Sequence, residues 1–206
     1  MAGGSKFVSH LKIWGVIVPI VMCLIVPLFA DESFTRLSDE EIESNKAVLG
    51  VEAYDALQVK IDGRFSNWFI ESGWYKNTLE YATPRRVNGN DSGVNAVMRD
   101  YFGKFWKMVY RAVYRLHVGW HWLLGGSLII LGAMYDGWQR RNIKSFEFGY
   151  SSPLKFHLVT HGFLLVSGLG LLLCFLPLTV TSWFWAAGIG LMVMLGWKMM
   201  ESYQVA

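Results

Sequence analysis

Apolar residues along this chain gather in four blocks, and the stretches between them have a different rhythm. The blocks run from Leu11 to Phe29, Leu116 to Tyr135, His157 to Pro177 and Ser182 to Met199. Each is about twenty residues, the length a helix needs to cross a hydrocarbon core of ~30 Å. Pro19 and Pro27 fall inside the first block, and membrane helices tolerate such breaks. Between the first and second blocks the period changes. Ser38 and Glu41 have the S-x-x-E spacing of a capping box and predict a helix start. Tyr54, Leu57, Ile61, Phe65 and Trp68 then recur at spacings of three and four, one continuous amphipathic stripe. Gly73 offers a stop, and Thr83 to Gly93, "TPRRVNGNDSG", reads as a turn-rich loop. From Val94 the helical period returns. Val97, Tyr101, Phe105, Met108 and Ala112 line one face. Lys104, Lys107, Arg111 and Arg115 line another, which predicts a basic surface against headgroups or solvent.

The pattern therefore predicts an all-α polytopic membrane protein. It has four transmembrane helices and an amphipathic-helical extramembrane segment between the first and second. The expected layout is a cytoplasmic amino terminus at 1–10 and spans at 11–29, 116–135, 157–177 and 182–199. A periplasmic segment occupies 30–115, a cytoplasmic loop 136–156 and a cytoplasmic tail 200–206.

Composition agrees with this class. Of 206 residues, 53% are hydrophobic and 17% charged, where a soluble domain carries about 25% charged residues. The net charge of +3 is small, and no Lys/Arg run is long enough to track phosphates, so direct nucleic-acid binding is not expected. Cys23 and Cys174 are isolated in apolar blocks and lack the spacing of a metal site.

Charge also sets the expected orientation. Lys6 and Lys12 lie at the start of the first block, and Asp31 and Glu32 follow it, which places the amino terminus in the cytoplasm. The first block reads as an uncleaved anchor, because a cleavage site at Leu28-Phe29-Ala30 would want a small residue where Leu28 stands. The charge-free "LTVTS" makes the last two spans a hairpin on the translocated side. Arg140, Arg141, Lys144, Lys155 and Lys198 then fall inside. Trp183 and Trp185 sit at the outer interface, with Trp14, Trp138 and Trp197 near the inner one. Lys104 to Arg115 run against the rule, which weakens for long translocated segments.

Four histidines form two H-x-x-x-H pairs, His117 with His121 and His157 with His161. Each pair lies on one helix face at a chelating spacing. On the expected layout the pairs sit ~15 Å apart along the bundle axis, too far for one tetrahedral metal and at unmatched depth for a haem. No metal or cofactor is expected. Intramembrane ionisable residues are nonetheless functional hints, so a b-type cytochrome or metal-binding redox subunit is the alternative. A transporter is least supported, since the spans carry almost no charge beyond these histidines. The small residues Gly125, Gly126, Gly168, Gly170, Gly188 and Gly190 are expected to permit close helix packing.

The densest polar chemistry lies in the second connection, "MYDGWQRRNIKSFEFGYSSPLKFH", Met134 to His157. Asp136 and Gly137 are placed to end the second span's helix. Arg140 and Arg141 suit headgroups or a partner's carboxylates. Ser151, Ser152 and Pro153 suit the start of the next helix. The run Asp136-Gly137, Arg140-Arg141, Ile143, Phe146, Gly149, Ser152 and Phe156-His157 resembles the signature of a family of small integral membrane proteins. That family comes from integrating conjugative elements and transfer plasmids, and its genes lie beside that of the coupling ATPase of the conjugative type IV secretion system. The overall plan of spans is similar too. The departures are Phe156, where the family more often has Tyr, and weak similarity over residues 30–100.

The resemblance implies a non-enzymatic inner-membrane component of a conjugation apparatus, a scaffold or accessory of the coupling ATPase. The expected partner-binding residues are Asp136, Gly137, Arg140, Arg141, Lys144, Phe146, Ser152 and His157. The expected partners are membrane lipids, the coupling ATPase and other conjugation-channel proteins, with room for self-association.

Overall fold

A computed structural model describes residues 13, 17–82, 92–146 and 153–203. The elements among them are helical: α1 (Val18–Phe29), α2 (Glu32–Thr35), α3 (Asp39–Leu49), α4 (Val51–Phe65), a π-helical turn (Ser66–Ile70), α5 (Trp74–Tyr81), α6 (Ser92–Phe146), α7 (Pro153–Leu173) and α8 (Ser182–Glu201). Among the described residues, three helices are long and apolar enough to cross a membrane: Gly93–Lys144, Leu154–Leu173 and Ser182–Glu201. The remaining expected span, 11–29, is described only in part. Its helical part, α1, has 12 residues, ~18 Å.

The chain divides into two units, Met1–His117 with Leu172–Ser182, and Val118–Leu171 with Trp183–Ala206. In the first unit, α3, α4 and α5 pack their apolar stripes on the amino-terminal part of α6. Tyr54, Ile61, Met108, Ala112 and Tyr114 are buried there. Phe65 meets Trp106 and Tyr110 edge-on at 6.2 and 5.2 Å. The predicted stripe does not run on to Trp68, which is half exposed; Phe69 takes the inward place, 5.4 Å from Trp106. The π-helical turn explains the change of phase, because its wider turn rotates the later side chains around the helix axis. Gly50 and Gly73, both at φ +81, supply left-handed breaks on either side of α4 and its π turn. The Trp106 indole donates to Thr78 Oγ1 on α5 at 2.8 Å. Tyr101 anchors α1 by donating to the Leu24 carbonyl at 2.9 Å.

The basic face expected on α6 is not a solvated stripe. Arg111 and Arg115 are 3% and 1% exposed, and Lys104 pairs with Asp100 at 2.7 Å. The positive charges that ran against the orientation rule are thus largely internal to the first unit.

In the second unit, α8 packs along α6 with its direction parallel, and α7 returns antiparallel. Gly119, Gly126 and Gly137 form a seam on α6. A Cβ at Gly119 would lie 2.6 Å from the Trp185 ring, and one at Gly126 would lie 2.7 Å from Ile189. At Gly137 it would overlap the Trp197 carbonyl oxygen. The spacings of seven and eleven residues keep the three on one helix face. Of the glycines expected to pack closely, Gly126 does, whereas among the described residues a Cβ at Gly125, Gly168, Gly170, Gly188 or Gly190 would meet nothing within 4 Å.

Candidate functional site

The signature segment is a helix end rather than a loop for its first half. Asp136 and Gly137 do not stop α6, which continues to Phe146. The reason lies in what the two residues face. Gly137 lets the α8 backbone approach at Trp197, and the Asp136 carboxylate accepts the Trp197 indole N–H at 2.7 Å. Both are packing residues, and the chain has no need of a left-handed stop there.

The signature cations are gathered at the same helix end. Arg140 pairs with Asp136 at 3.6 Å, one turn back, and its guanidinium lies 5.2 Å from the Trp197 ring centroid. Arg141 lies 5.3 Å from the Tyr203 ring, which also meets Phe156 of α7 at 5.5 Å. Lys144 and Lys198 both bind the Glu201 carboxylate, which is 6% exposed. Two ammonium groups on one carboxylate leave the cluster net positive. Arg140 remains 60% exposed, and Ile143 and Phe146 point away from the contacts, at 57% and 84% exposed. The segment thus joins α6, α7 and α8 through one set of residues and offers a cationic, apolar-tipped surface through another. His157 is exposed beside Phe156. Ser152, with its neighbour Ser151, lies outside the described residues.

A second polar centre, in the first unit, departs from the pattern the sequence predicts. Glu41 does not close a capping box: Ser38 caps α3 without a side-chain hydrogen bond, and the Glu41 side chain turns inward to Arg115. Each is 1% exposed. Arg115 Nε donates to Glu41 Oε1 at 2.8 Å and Nη2 to Oε2 at 2.7 Å. Nη1 donates to the carbonyls of Leu173 and Leu176 at 2.9 and 2.7 Å, and Nη2 also donates to that of Leu178. A guanidinium has five N–H donors, and all five are met. Glu41 Oε2 additionally accepts the Val180 N–H at 3.2 Å. Beside it, Ser182 N donates to Ser44 Oγ at 2.9 Å, and the Ser182 hydroxyl to the Ser44 carbonyl at 2.7 Å. One ion pair thereby holds α3, α6 and the segment after α7. A buried charge next to an apolar block demands such a partner. That demand, at Arg115 beside Leu116, is the signal the sequence offers; nothing in the local spacing marks Glu41 as the partner.

From Asn45 a line of hydrogen bonds runs outward. Asn45 donates to Tyr114 at 3.1 Å, Tyr114 to Tyr54 at 3.4 Å and Tyr54 to Gln58 at 3.3 Å. Gln58 then donates to Tyr110 at 2.6 Å, and Tyr110 to Asp62 at 2.6 Å. Burial raises the pKa of Tyr54. Burial, and then the hydrogen bond to Asp62, raise that of Tyr110.

The histidines serve separate local roles. Arg64, a donor only, contacts His117 Nε2 at 2.8 Å, which puts the ring proton on Nδ1, 2.7 Å from the Val113 carbonyl. His121 and His161 are exposed. Among the described residues, no three of His, Cys, Asp and Glu gather as a metal site would require.

No curated protein and no solved structure matches the chain. The family model for IncC plasmid conjugative DNA transfer proteins of the DtrJ-like type matches residues 27–203. That range takes in α3, the Glu41–Arg115 centre and the whole signature helix end, so the chain belongs to the DtrJ-like family of conjugative DNA transfer proteins.

Proposed function

We propose that this protein is a non-enzymatic scaffold of the inner membrane that docks the coupling ATPase of the conjugation apparatus through the carboxyl-terminal end of α6. Membership of a conjugative transfer family supplies the process. The observation that carries the docking reading is that α6 stays helical for about three turns past Tyr135 and ends on exposed Ile143 and Phe146 beside exposed Arg140. A helix already held by Gly137, Arg141 and Lys144 presents these side chains at little ordering cost, which favours binding. The positive charge steers an acidic partner, and the apolar tip supplies buried area. In this reading both termini and the signature segment face the cytoplasm, and residues 30–115 face the periplasm, toward the channel proteins.

The test is co-purification from donor membranes in mild detergent, with a tag on this chain. Arg140→Glu with Phe146→Asp is expected to abolish recovery of the ATPase while the protein stays inserted. Undiminished recovery contradicts the docking reading. The same sample's visible spectrum tests the redox alternative, because a haem band would redirect attention to His121 and His161.

A further inference from the structure

A cavity of about 530 Å³ opens in the first unit, lined by Ser33, Phe34, Arg36, Ser38, Arg111 and Thr179 among others. Its charges do not balance. Arg115, also on the wall, is neutralised by Glu41. Arg36 is paired with Asp39 at 3.3 Å, at the exposed rim. Among the described residues Arg111 pairs with no carboxylate, and the Glu41 charge that acts on it is already held by Arg115. Arg111 Nη1 donates to the Phe34 carbonyl, while Nε and Nη2 are buried without a hydrogen-bond partner among the described residues. It is 3% exposed. Burial, and then the charge of Arg115, lower its pKa to about 10, so it remains a cation at neutral pH.

An unpaired buried guanidinium is costly, and native structures answer such a group with an anion. The same cavity offers further donors. The 11-residue helix α3 begins at its edge with no side chain capping its first N–H groups, a partial positive charge. The Ser33 and Ser38 hydroxyls line the wall. The first-turn carboxylates Asp39 and Glu40 offset part of that field, and Asp39 is already held by Arg36.

We propose that this cavity binds one phosphate-class oxyanion, with Arg111 as the principal charge and Arg36 and Ser38 at the mouth. Guanidinium matches phosphate through parallel N–H donors. The surroundings indicate how a phosphate arrives. The wall residues Pro177 to Thr179 lie just beyond the end of the apolar helix α7 at Leu173. Leu28 and Phe29, at the end of apolar α1, are 61% and 83% exposed. Two apolar helices that end at a polar cavity place it at headgroup depth, where the phosphate of a phospholipid is at hand. Free phosphate carries the same chemistry.

The inference is independent of the docking reading and is tested separately. The full chain, exchanged into a neutral detergent and stripped of lipid, is melted at matched ionic strength against inorganic phosphate, against short-chain phosphatidylglycerol and against sodium chloride alone. The expected result is a melting temperature that rises with a phosphate-bearing probe and not with chloride. A rise with phosphatidylglycerol only assigns the site to lipid, and a rise with both assigns it to phosphate generally. Arg111→Met keeps the side-chain stem and should abolish the rise. Should that variant fail to fold, Arg36→Gln is the second arm, and it should weaken binding about tenfold. A melting temperature indifferent to both probes overturns the proposal. So does an unchanged response in Arg111→Met, or in Arg36→Gln where that arm is used.

Discussion

Two clusters of charge in this molecule use the same side chains to different ends. At Glu41–Arg115 both partners are buried, every guanidinium donor is met, and the acceptors come from separate segments of chain. At Glu201 the carboxylate is buried, but its partners Lys144 and Lys198 are 48% and 43% exposed. Arg140 and Arg141 nearby lie over aromatic rings. The first arrangement fixes a fold, because breaking it strands a charge without water. The second holds a helix end in place while leaving its charge accessible. Burial, rather than residue type, separates the structural cluster from the one suited to a partner.

The greatest loss expected from this contrast is at Glu41. Glu41→Ala leaves Arg115 buried and unpaired and should cost about 3–5 kcal/mol, read as a collapse of the melting transition or of membrane yield. Replacing both residues, Glu41→Met with Arg115→Met, should recover much of the loss. A double variant as unstable as the single one would mean the pair is more than a mutual requirement.

Next is the seam. Gly137→Ala places a methyl group against the backbone of Trp197 and should cost about 1–3 kcal/mol. Gly125→Ala, with nothing near it, should be neutral or slightly stabilising. Thermal melting of the two variants side by side reads the difference.

Smaller again is Glu201→Gln. Partial exposure of both lysines limits the loss to about 1 kcal/mol, and added salt should reduce the gap to wild type. A loss that salt leaves unchanged would place this cluster with the buried pair.

The last prediction concerns pH. Tyr54 and Tyr110 have raised pKa values in the folded protein. Their neutral forms are therefore favoured by folding. That contribution is full below the unfolded tyrosine value of 10.0 and declines as pH rises above it. Tyrosinate absorbance should appear late in the folded protein, and Tyr110→Phe should flatten the alkaline loss of stability.

The helical class, the apolar helices from Leu154 and Ser182, and the family were all legible in the sequence, because these rest on long periodic runs and a spaced signature. Features that depend on contacts distant in the chain were not. Ser38-x-x-Glu41 has a capping box's spacing, yet a buried arginine 74 residues away outweighs a local cap. Asp136-Gly137 has a helix stop's composition, yet a helix 61 residues away turns both into packing residues. Lys104, Lys107, Arg111 and Arg115 have a basic stripe's period, and period alone cannot tell a solvated face from one that meets buried acceptors. Within the signature, Arg141 and Lys144 face α8 and the residues just after it, whereas Phe146 is exposed; that division depends on how α8 packs.

Docking through the end of α6 is tested most sharply by the frequency of plasmid transfer from donor cells carrying Arg140→Glu with Phe146→Asp, measured with the protein's membrane level and melting temperature. The expected result is transfer reduced at least about tenfold, the loss of roughly 1.4 kcal/mol of docking, with level and melting temperature unchanged. Transfer at the wild-type frequency from a protein of wild-type stability would contradict it.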